Sequence, residues 1–155
     1  MIAAVFDCNV YLQAALSRGS ASRRLERAGT DFTLWCSEAI IAEPTDDLYR
    51  PAIRLKFAGL DDAKVEEFLS SLRLVAVVVL SAPRTFQLAR DPDDEKYLDL
   101  AIAANATYVV SRDHDLLDLM TADDLNSQLF RAAFPEIEVL TPEPFLARLP
   151  LGDPI

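Results

Sequence analysis

Short apolar runs alternate with helix-length amphipathic segments along the chain, and this alternation is the feature that most constrains its fold. Five runs are rich in Val, Ile, Phe or Tyr, as strands buried on both faces are. They are residues 2–6, 32–36, 74–80, 108–111 and 137–140. Strands that alternate with helices build βα units with right-handed crossovers, so the pattern predicts an α/β protein with a doubly wound, mainly parallel five-stranded sheet.

The segments between the apolar runs predict helices. Ser37 stands at an N-cap position before one of them, and acidic residues Asp93 and Asp94 open another, as the helix dipole favours. The predicted helices are residues 9–28 with a break at Gly19-Ser20, a helix after Ser37, residues 63–72, 93–105, 113–119, 122–133 and 142–149. No stretch rich in Pro, Gly or Ser separates them, so we expect one domain over residues 1–150 and a tail at 151–155.

The chain has 155 residues, the ordinary size of one domain. Its longest apolar run, residues 74–80, is too short to cross a bilayer, and no basic stretch precedes an apolar leader, so we expect a cytoplasmic protein without membrane association. The two cysteines, Cys8 and Cys36, lie in apolar contexts without metal-ligand spacing. They are expected to be free, buried thiols.

The net charge is −10, which is the wrong sign for bulk attraction to nucleic acid. This excludes a generic nucleic-acid coat protein but not a nuclease, because a metal-binding site itself requires carboxylates. Four arginines form a local basic patch that either meets phosphates or is the solvated face of a helix. They are Arg18, Arg23, Arg24 and Arg27.

Four carboxylates lie beside predicted strand or helix ends, namely Asp7, Glu43, Asp94 and Asp113. Ligands of doubly wound sheets bind beyond the carboxyl ends of the strands. Asp7 directly follows the first strand and Asp113 follows the fourth, so the two meet if those strands are neighbours. Oxygen ligands of this kind suit a hard divalent cation. The apolar pattern alone does not determine the strand order.

Each of these acids also has a purely structural interpretation. Asp7 is equally suited to cap the following helix, and the acidic run around Asp94 is typical of a solvated helix start. Helical spacing nevertheless places Asp94 on the apolar face of its helix, with Asp93 and Glu95 pointing away. Glu43 borders the buried face of its own helix and needs a polar partner.

The segment after the fourth strand offers two acids, Asp113 and Asp115, and either is suited to the fourth ligand position. His114 between them has no second histidine or cysteine nearby, and an oxygen-only site needs neither. We therefore interpret His114 as an exposed loop residue.

Four segments together resemble the successive motifs of the PIN domain family. They read Val-Phe-Asp-Cys-Asn, Ser-Glu-Ala-Ile-Ile-Ala-Glu, Asp-Pro-Asp-Asp-Glu-Lys-Tyr-Leu-Asp-Leu-Ala and Tyr-Val-Val-Ser-Arg-Asp-His-Asp-Leu-Leu. The resemblance is greatest to the bacterial branch of toxins from toxin–antitoxin pairs, the VapC-like ribonucleases. It extends over nearly the whole chain, and four motifs in order are more specific than any one.

This resemblance implies a three-layer α/β/α fold with strand order 3-2-1-4-5 and a metal-dependent endoribonuclease that cleaves RNA. It also implies a Mg²⁺ or Mn²⁺ cofactor, an antitoxin partner and a homodimer. Asp7 and Asp94 would be the principal metal ligands, while Glu43 and Asp113 would hold a second ion or orient the water. The family pattern carries all four acids over as catalytic and metal-binding, with Asn9 and Ser111 as polar supports and Asp115 as the alternative to Asp113.

The sequence departs from the family pattern at two further positions. Cys8 replaces a residue that commonly carries a hydroxyl, and Pro44 removes a backbone N–H beside Glu43. A PIN-like binding module without activity is therefore an alternative. A receiver domain or a haloacid-dehalogenase-like hydrolase also begins with a strand and an Asp. The first needs a late lysine that is missing, and the second needs an acid where Asn9 stands.

Overall fold

The computed structural model describes residues 1–16, 26–56 and 60–150. Five strands form one sheet in the order β3-β2-β1-β4-β5, and every neighbouring pair is parallel. The strands are β1 (Ile2–Phe6), β2 (Phe32–Ser37), β3 (Ala76–Val79), β4 (Tyr108–Val110) and β5 (Glu138–Leu140). The predicted three-layer α/β/α fold and its strand order are confirmed.

Helices connect the strands. They are α1 (Cys8–Leu16), α2 (Glu38–Tyr49), α3 (Pro51–Lys56), α4 (Asp62–Val75), α5 (Glu95–Ala103), α6 (His114–Leu117), α7 (Leu125–Ala133) and α8 (Pro142–Arg148). Two single turns of 3₁₀ helix, Pro92–Asp94 and Asp118–Met120, precede α5 and follow α6. Several starts are capped as the sequence predicts: Ser37 Oγ accepts a hydrogen bond from the Ile40 N–H, with an O–N distance of 3.2 Å.

The bounds of β3 differ from the prediction, and most helices begin or end one to three residues away from the predicted bounds. β3 begins at Ala76 because Leu74 and Val75 continue α4, and Leu74 and Leu80 are 87% and 83% exposed. The predicted helix over residues 9–28 is observed as α1 up to Leu16. Its expected break and three of the four patch arginines, at positions 18, 23 and 24, lie outside the described residues.

The fourth patch arginine, Arg27, is engaged within the fold. Its Nη2 donates a hydrogen bond to the Pro150 carbonyl at 2.8 Å, and its Nε pairs with Asp31. These contacts connect the start of β2 to the end of α8. Both alternatives for the patch as a whole stay predictions.

Aromatic side chains fill one face of the sheet below its carboxyl edge. Phe145 of α8 meets Phe6 and Phe32 edge to face, with ring centroids 5.5 and 5.1 Å apart, and all three are fully buried. Aromatic pairs of this geometry stabilise a core beyond their buried area. This packing holds β1 and β2 in place. It therefore also sets the positions of the residues that follow these two strands.

The chain between β3 and α5 crosses the surface without regular structure and is held by two acids of α5. Asp99 Oδ1 accepts the N–H groups of Thr85 and Phe86 at 2.9 and 3.0 Å, and Glu95 Oε1 accepts the Leu88 N–H at 3.0 Å. Glu95 is buried, which corrects the expectation that it points away. The helix-spacing argument missed this covering segment, because a loop leaves no periodicity in the sequence.

Neither cysteine forms a disulfide bond within the part of the chain that the structure describes, as expected, although Cys8 is only half-buried while Cys36 is fully buried. Across residues 1–16, 26–56 and 60–150, none of the helices combines the length and the apolar character that crossing a bilayer requires.

Candidate metal centre

Asp7 lies at the carboxyl edge of the sheet, where β1 meets β4. Its backbone N–H donates to the Val110 carbonyl at 3.0 Å, which continues the parallel ladder by one residue. The carboxylate is 2% exposed, accepts the Val10 N–H at Oδ1 over 3.1 Å, and accepts the Ser111 hydroxyl at Oδ2. Burial raises the pKa of Asp7, and these hydrogen bonds oppose the increase.

Ser111 connects Asp7 to Asp113. The fully buried Ser111 hydroxyl donates to Asp7 and accepts the Asp113 N–H at 2.9 Å. Asp113 then caps α6, with its Oδ1 accepting the Asp115 N–H at 2.9 Å. One buried hydroxyl therefore fixes the start of the loop that presents Asp113 to the site.

Three carboxylates converge above this edge. One oxygen from each of Asp91, Asp94 and Asp113 lies within 4.8 Å of the other two, and we name these residues the three-acid cluster. The 3₁₀ turn Pro92–Asp94 produces the pairing of Asp91 with Asp94, because residues three apart eclipse each other in a 3₁₀ helix. Sequence reasoning missed Asp91. An Asp-Pro-Asp-Asp segment at a helix start was the available indication.

The cluster concentrates negative charge in a partly buried place. Burial raises the pKa of Asp94 to about 8, helped by a side-chain hydrogen bond with Asp113 and by the charges of Asp91, Asp113 and Asp7. Asp94 Oδ2 is buried and has no hydrogen-bond partner. A buried acceptor without a donor is costly. A cation supplies both the missing partner and the neutralising charge, and an all-oxygen donor set fits Mg²⁺ or Mn²⁺.

Glu43 lies at the same edge but faces other partners. Its Oε2 accepts the Tyr97 hydroxyl at 3.1 Å, and its Oε1 forms an ion pair with Lys96. The Tyr97 oxygen also accepts the Cys8 N–H at 3.0 Å, which joins the start of α1 to α2 and α5. Helix α2 runs without interruption from Glu38 to Tyr49, so Pro44 does not end it.

The structure thus separates the predicted acids into groups. Asp94 and Asp113 join Asp91 in the cluster, Asp7 lies next to Asp113 through Ser111, and Glu43 is paired with Lys96. Asp7, Asp94 and Asp113 are also coupled through their charges. The charge of Asp7 raises the pKa of Asp94, and the charge of Asp113 raises the pKa of Asp7.

The remaining predicted residues have smaller roles. Asn9 is exposed, and its backbone N–H helps to lower the pKa of Asp7. Asp115 faces Arg90, with 4.0 Å between Asp115 Oδ1 and Arg90 Nη1, while Asp113 belongs to the three-acid cluster. This geometry favours Asp113 over Asp115 as a ligand. His114 is exposed, as expected, but it is the first residue of α6 rather than part of a loop.

A groove of about 300 Å³ lies beside the start of α5. Its lining combines small apolar residues with two cations and three acids, and it includes Ser37, Arg84, Asp93, Glu95, Lys96 and Asp99. The groove therefore connects the end of β2, the segment after β3 and the turn that precedes α5.

A sequence profile described as "PIN domain" matches residues 3–115. Among solved structures, PAE2754 from Pyrobaculum aerophilum is similar with a TM-score of 0.57 and 15% identity, over 95% of this chain and 88% of that one. VapBC2 from Rickettsia felis, bound to a DNA fragment from its promoter, is similar with a TM-score of 0.54 and 16% identity, over 89% of this chain and 97% of that one. No curated protein sequence matches significantly. At these identities the two structures establish a shared fold.

Proposed function

Because the chain belongs to the PIN domain family, we propose that it is a divalent-metal-dependent endoribonuclease and the toxin of a toxin–antitoxin pair. Two further observations support this proposal. The site is built almost entirely of carboxylates, as metal-assisted phosphodiester hydrolysis requires. The fold is also similar to that of VapBC2 from Rickettsia felis.

The state of Asp94 is the observation that carries the proposal. Its pKa is raised to about 8, and one of its oxygens is buried without a partner beside Asp91 and Asp113. Three carboxylates this close repel one another, and a bound cation would relieve that repulsion. Perturbed acids of this kind are typical of functional sites.

In the proposed mechanism, Asp94, Asp113 and Asp91 hold the cation, and Asp7 adds negative charge from the end of β1. A bound Mg²⁺ or Mn²⁺ would supply the Lewis acid that phosphodiester hydrolysis by water requires. Ser111 keeps Asp7 and Asp113 in register through its two hydrogen bonds. Glu43 stays a proposed catalytic acid whose position is set by its neighbours in α5.

Incubation of single-stranded RNA with the metal-stripped protein tests this function. We expect cleavage on addition of Mn²⁺ or Mg²⁺, no cleavage in excess chelator, and loss of at least about a hundredfold in Asp94→Asn and Asp113→Asn. Asp46→Asn, an exposed acid in α2, is the matched control and should cleave like the native chain. Undiminished cleavage by Asp94→Asn would contradict the proposed site.

The proposal includes an antitoxin encoded beside the toxin, a homodimer and action in the cytoplasm, where the RNA substrate is found. We expect expression of the chain alone to arrest bacterial growth, and co-expression of the adjacent reading frame to restore it. Growth arrest by Asp94→Asn at equal protein levels would show that arrest does not require the metal centre.

A PIN-like binding module is the second candidate. The pairing of Glu43 with Lys96 and Tyr97 favours this candidate. It engages one of the acids that the family resemblance implied as a ligand. Stabilisation by Mn²⁺ without cleavage of any RNA would support this candidate over the nuclease.

A further inference from the structure

A positive charge is paired with Glu43, one of the four acids that the family pattern implies as ligands. Lys96, in the first turn of α5, forms an ion pair with Glu43 of α2. Its ammonium nitrogen lies 5.3 Å from the centroid of the Tyr97 ring, and only 23% of its side chain is exposed. An ammonium that meets both a carboxylate and an aromatic face in a partly desolvated place is restrained, unlike that of a free surface lysine.

We propose that Lys96 occupies the place that a second divalent ion takes in two-metal phosphodiester sites, so that this protein binds one ion per chain. The inference rests on the proposed function and adds the number of ions and a residue that meets the substrate. In two-metal sites the ions are roughly 3.5–4 Å apart, and each needs oxygen ligands of its own.

The oxygens that a second ion would need are engaged. Asp7 accepts hydrogen bonds at both carboxylate oxygens, one of them from Ser111. Glu43 is bonded at Oε2 to the Tyr97 hydroxyl and paired at Oε1 with Lys96. A divalent ion at Glu43 would lie against the Lys96 ammonium, and like charges repel most strongly where water is excluded. Within the three-acid cluster, Asp94 Oδ2 has no hydrogen-bond partner.

Lys96 is also accessible to an anion. It lines the groove together with Arg84, whose side chain is 84% exposed and pairs with Glu95. Three carboxylates share this lining with the two cations. A phosphate of the RNA backbone in this groove would meet the ammonium of Lys96. Lysine is suited to this contact because it binds phosphate as a compact point charge.

Titration of Mn²⁺ into metal-stripped protein tests the inference, with calorimetry for the stoichiometry and electron paramagnetic resonance for coupling between ions. We expect one Mn²⁺ per chain and the spectrum of an isolated ion for the native protein and for Lys96→Arg. We expect Lys96→Met and Lys96→Gln to bind two ions with a spin-coupled spectrum. Lys64→Met, at an exposed position of α4, is the matched control and should bind one.

RNA cleavage with one equivalent of Mn²⁺ per chain gives a second measurement, because at that ratio no second ion replaces the missing ammonium. It should fall at least about tenfold in Lys96→Met, and by less in Lys96→Arg, because the contact with phosphate needs a cation. Circular dichroism shows whether each variant folds. If a variant does not fold, the number of Mn²⁺ ions bound per native chain still decides between one ion and two.

Two ions in the native protein, or one ion in the folded Met and Gln variants, would overturn the inference and leave the nuclease proposal intact. No Mn²⁺ bound by the native protein would overturn the metal centre itself, and with it both proposals.

Discussion

Single atoms determine the properties of this site, and Asp94 Oδ2 is the clearest example. It is buried without a hydrogen-bond partner, and the pKa of its carboxyl is about 8. In the metal-free protein at neutral pH the folded state therefore retains a proton that the unfolded chain has released. The stability of the metal-free protein consequently depends on pH through this residue.

The direction of that dependence follows from the raised pKa. The contribution of Asp94 to stability is complete below its ordinary pKa of 3.8 and is lost as the pH rises to about 8. We expect the melting temperature in chelator to fall between pH 5 and 8.5. In Asp94→Asn the free energy of unfolding should decrease over this pH range by about 1–2 kcal/mol less than in the native chain. The fall in melting temperature should therefore be smaller by roughly 2–8 °C. Thermal unfolding followed by circular dichroism measures it, and Asp46→Asn should retain the native slope.

Ser111 is the second residue whose role depends on one atom. Ser111→Ala removes a hydroxyl that donates to Asp7 and accepts from the Asp113 N–H, in a fully buried place. We expect a loss of about 1–3 kcal/mol in the free energy of unfolding, measured by urea denaturation, and weaker Mn²⁺ binding. Ser71→Ala, on the exposed side of α4, should change stability by less than about 0.5 kcal/mol. Equal effects of the two substitutions would contradict this role.

The sequence predicted part of this site and not the rest, for identifiable reasons. Asp7, Asp94 and Asp113 follow strands or open a helix, and local pattern is sufficient to find such positions. The pairing of Glu43 with Lys96 joins residues of two different helices, and no local pattern encodes it. Asp91 was not predicted, because the 3₁₀ turn that places it beside Asp94 has no signal of its own in the hydrophobic pattern.

At the scale of elements, α5 has two functions. Its first turn carries Lys96 and follows Asp94, while Glu95 and Asp99 hold the segment between β3 and α5. The hydrophobic pattern predicted the helix well, because its apolar stripe is long. It did not predict that two of its acids are inside, since the segment that covers them has no periodicity.

Asp99→Ala should loosen that segment specifically. It leaves the N–H groups of Thr85 and Phe86 without the acceptor they share, at a cost of about 2–4 kcal/mol. Hydrogen exchange at these two amides should accelerate at least about tenfold, while exchange in β1 should accelerate less. Glu66→Ala, exposed on α4, is the control and should leave both amides unchanged.

At the scale of the whole molecule, the C-terminal helix completes the core. The profile match ends at residue 115, yet Phe145 of α8 is fully buried against Phe6 and Phe32. We expect Phe145→Ala to cost about 3–5 kcal/mol by chemical denaturation. Leu129→Ala, at a position that is 52% exposed, should cost less than about 1 kcal/mol. A small effect of the Phe145 substitution would mean that α8 is dispensable.

Cation binding should also be measurable across the whole molecule. A ligand that binds only the folded state at a hundred times its dissociation constant stabilises it by about 2.7 kcal/mol. We expect saturating Mn²⁺ to raise the melting temperature of the native chain by roughly 5–10 °C, but not that of Asp113→Asn. An equal increase in both would indicate that the cation binds elsewhere.

The hydrogen bond between Ser111 and Asp7 spans 104 positions of the chain, because β1 lies between β2 and β4 in the sheet. Non-local contacts form slowly, because the loop between them must close first. During synthesis, the emerging polypeptide carries Asp7 from the beginning but lacks a complete centre until Asp113 has left the ribosome. The proposed nuclease activity therefore requires synthesis to pass Asp113 and β4 to pair with β1.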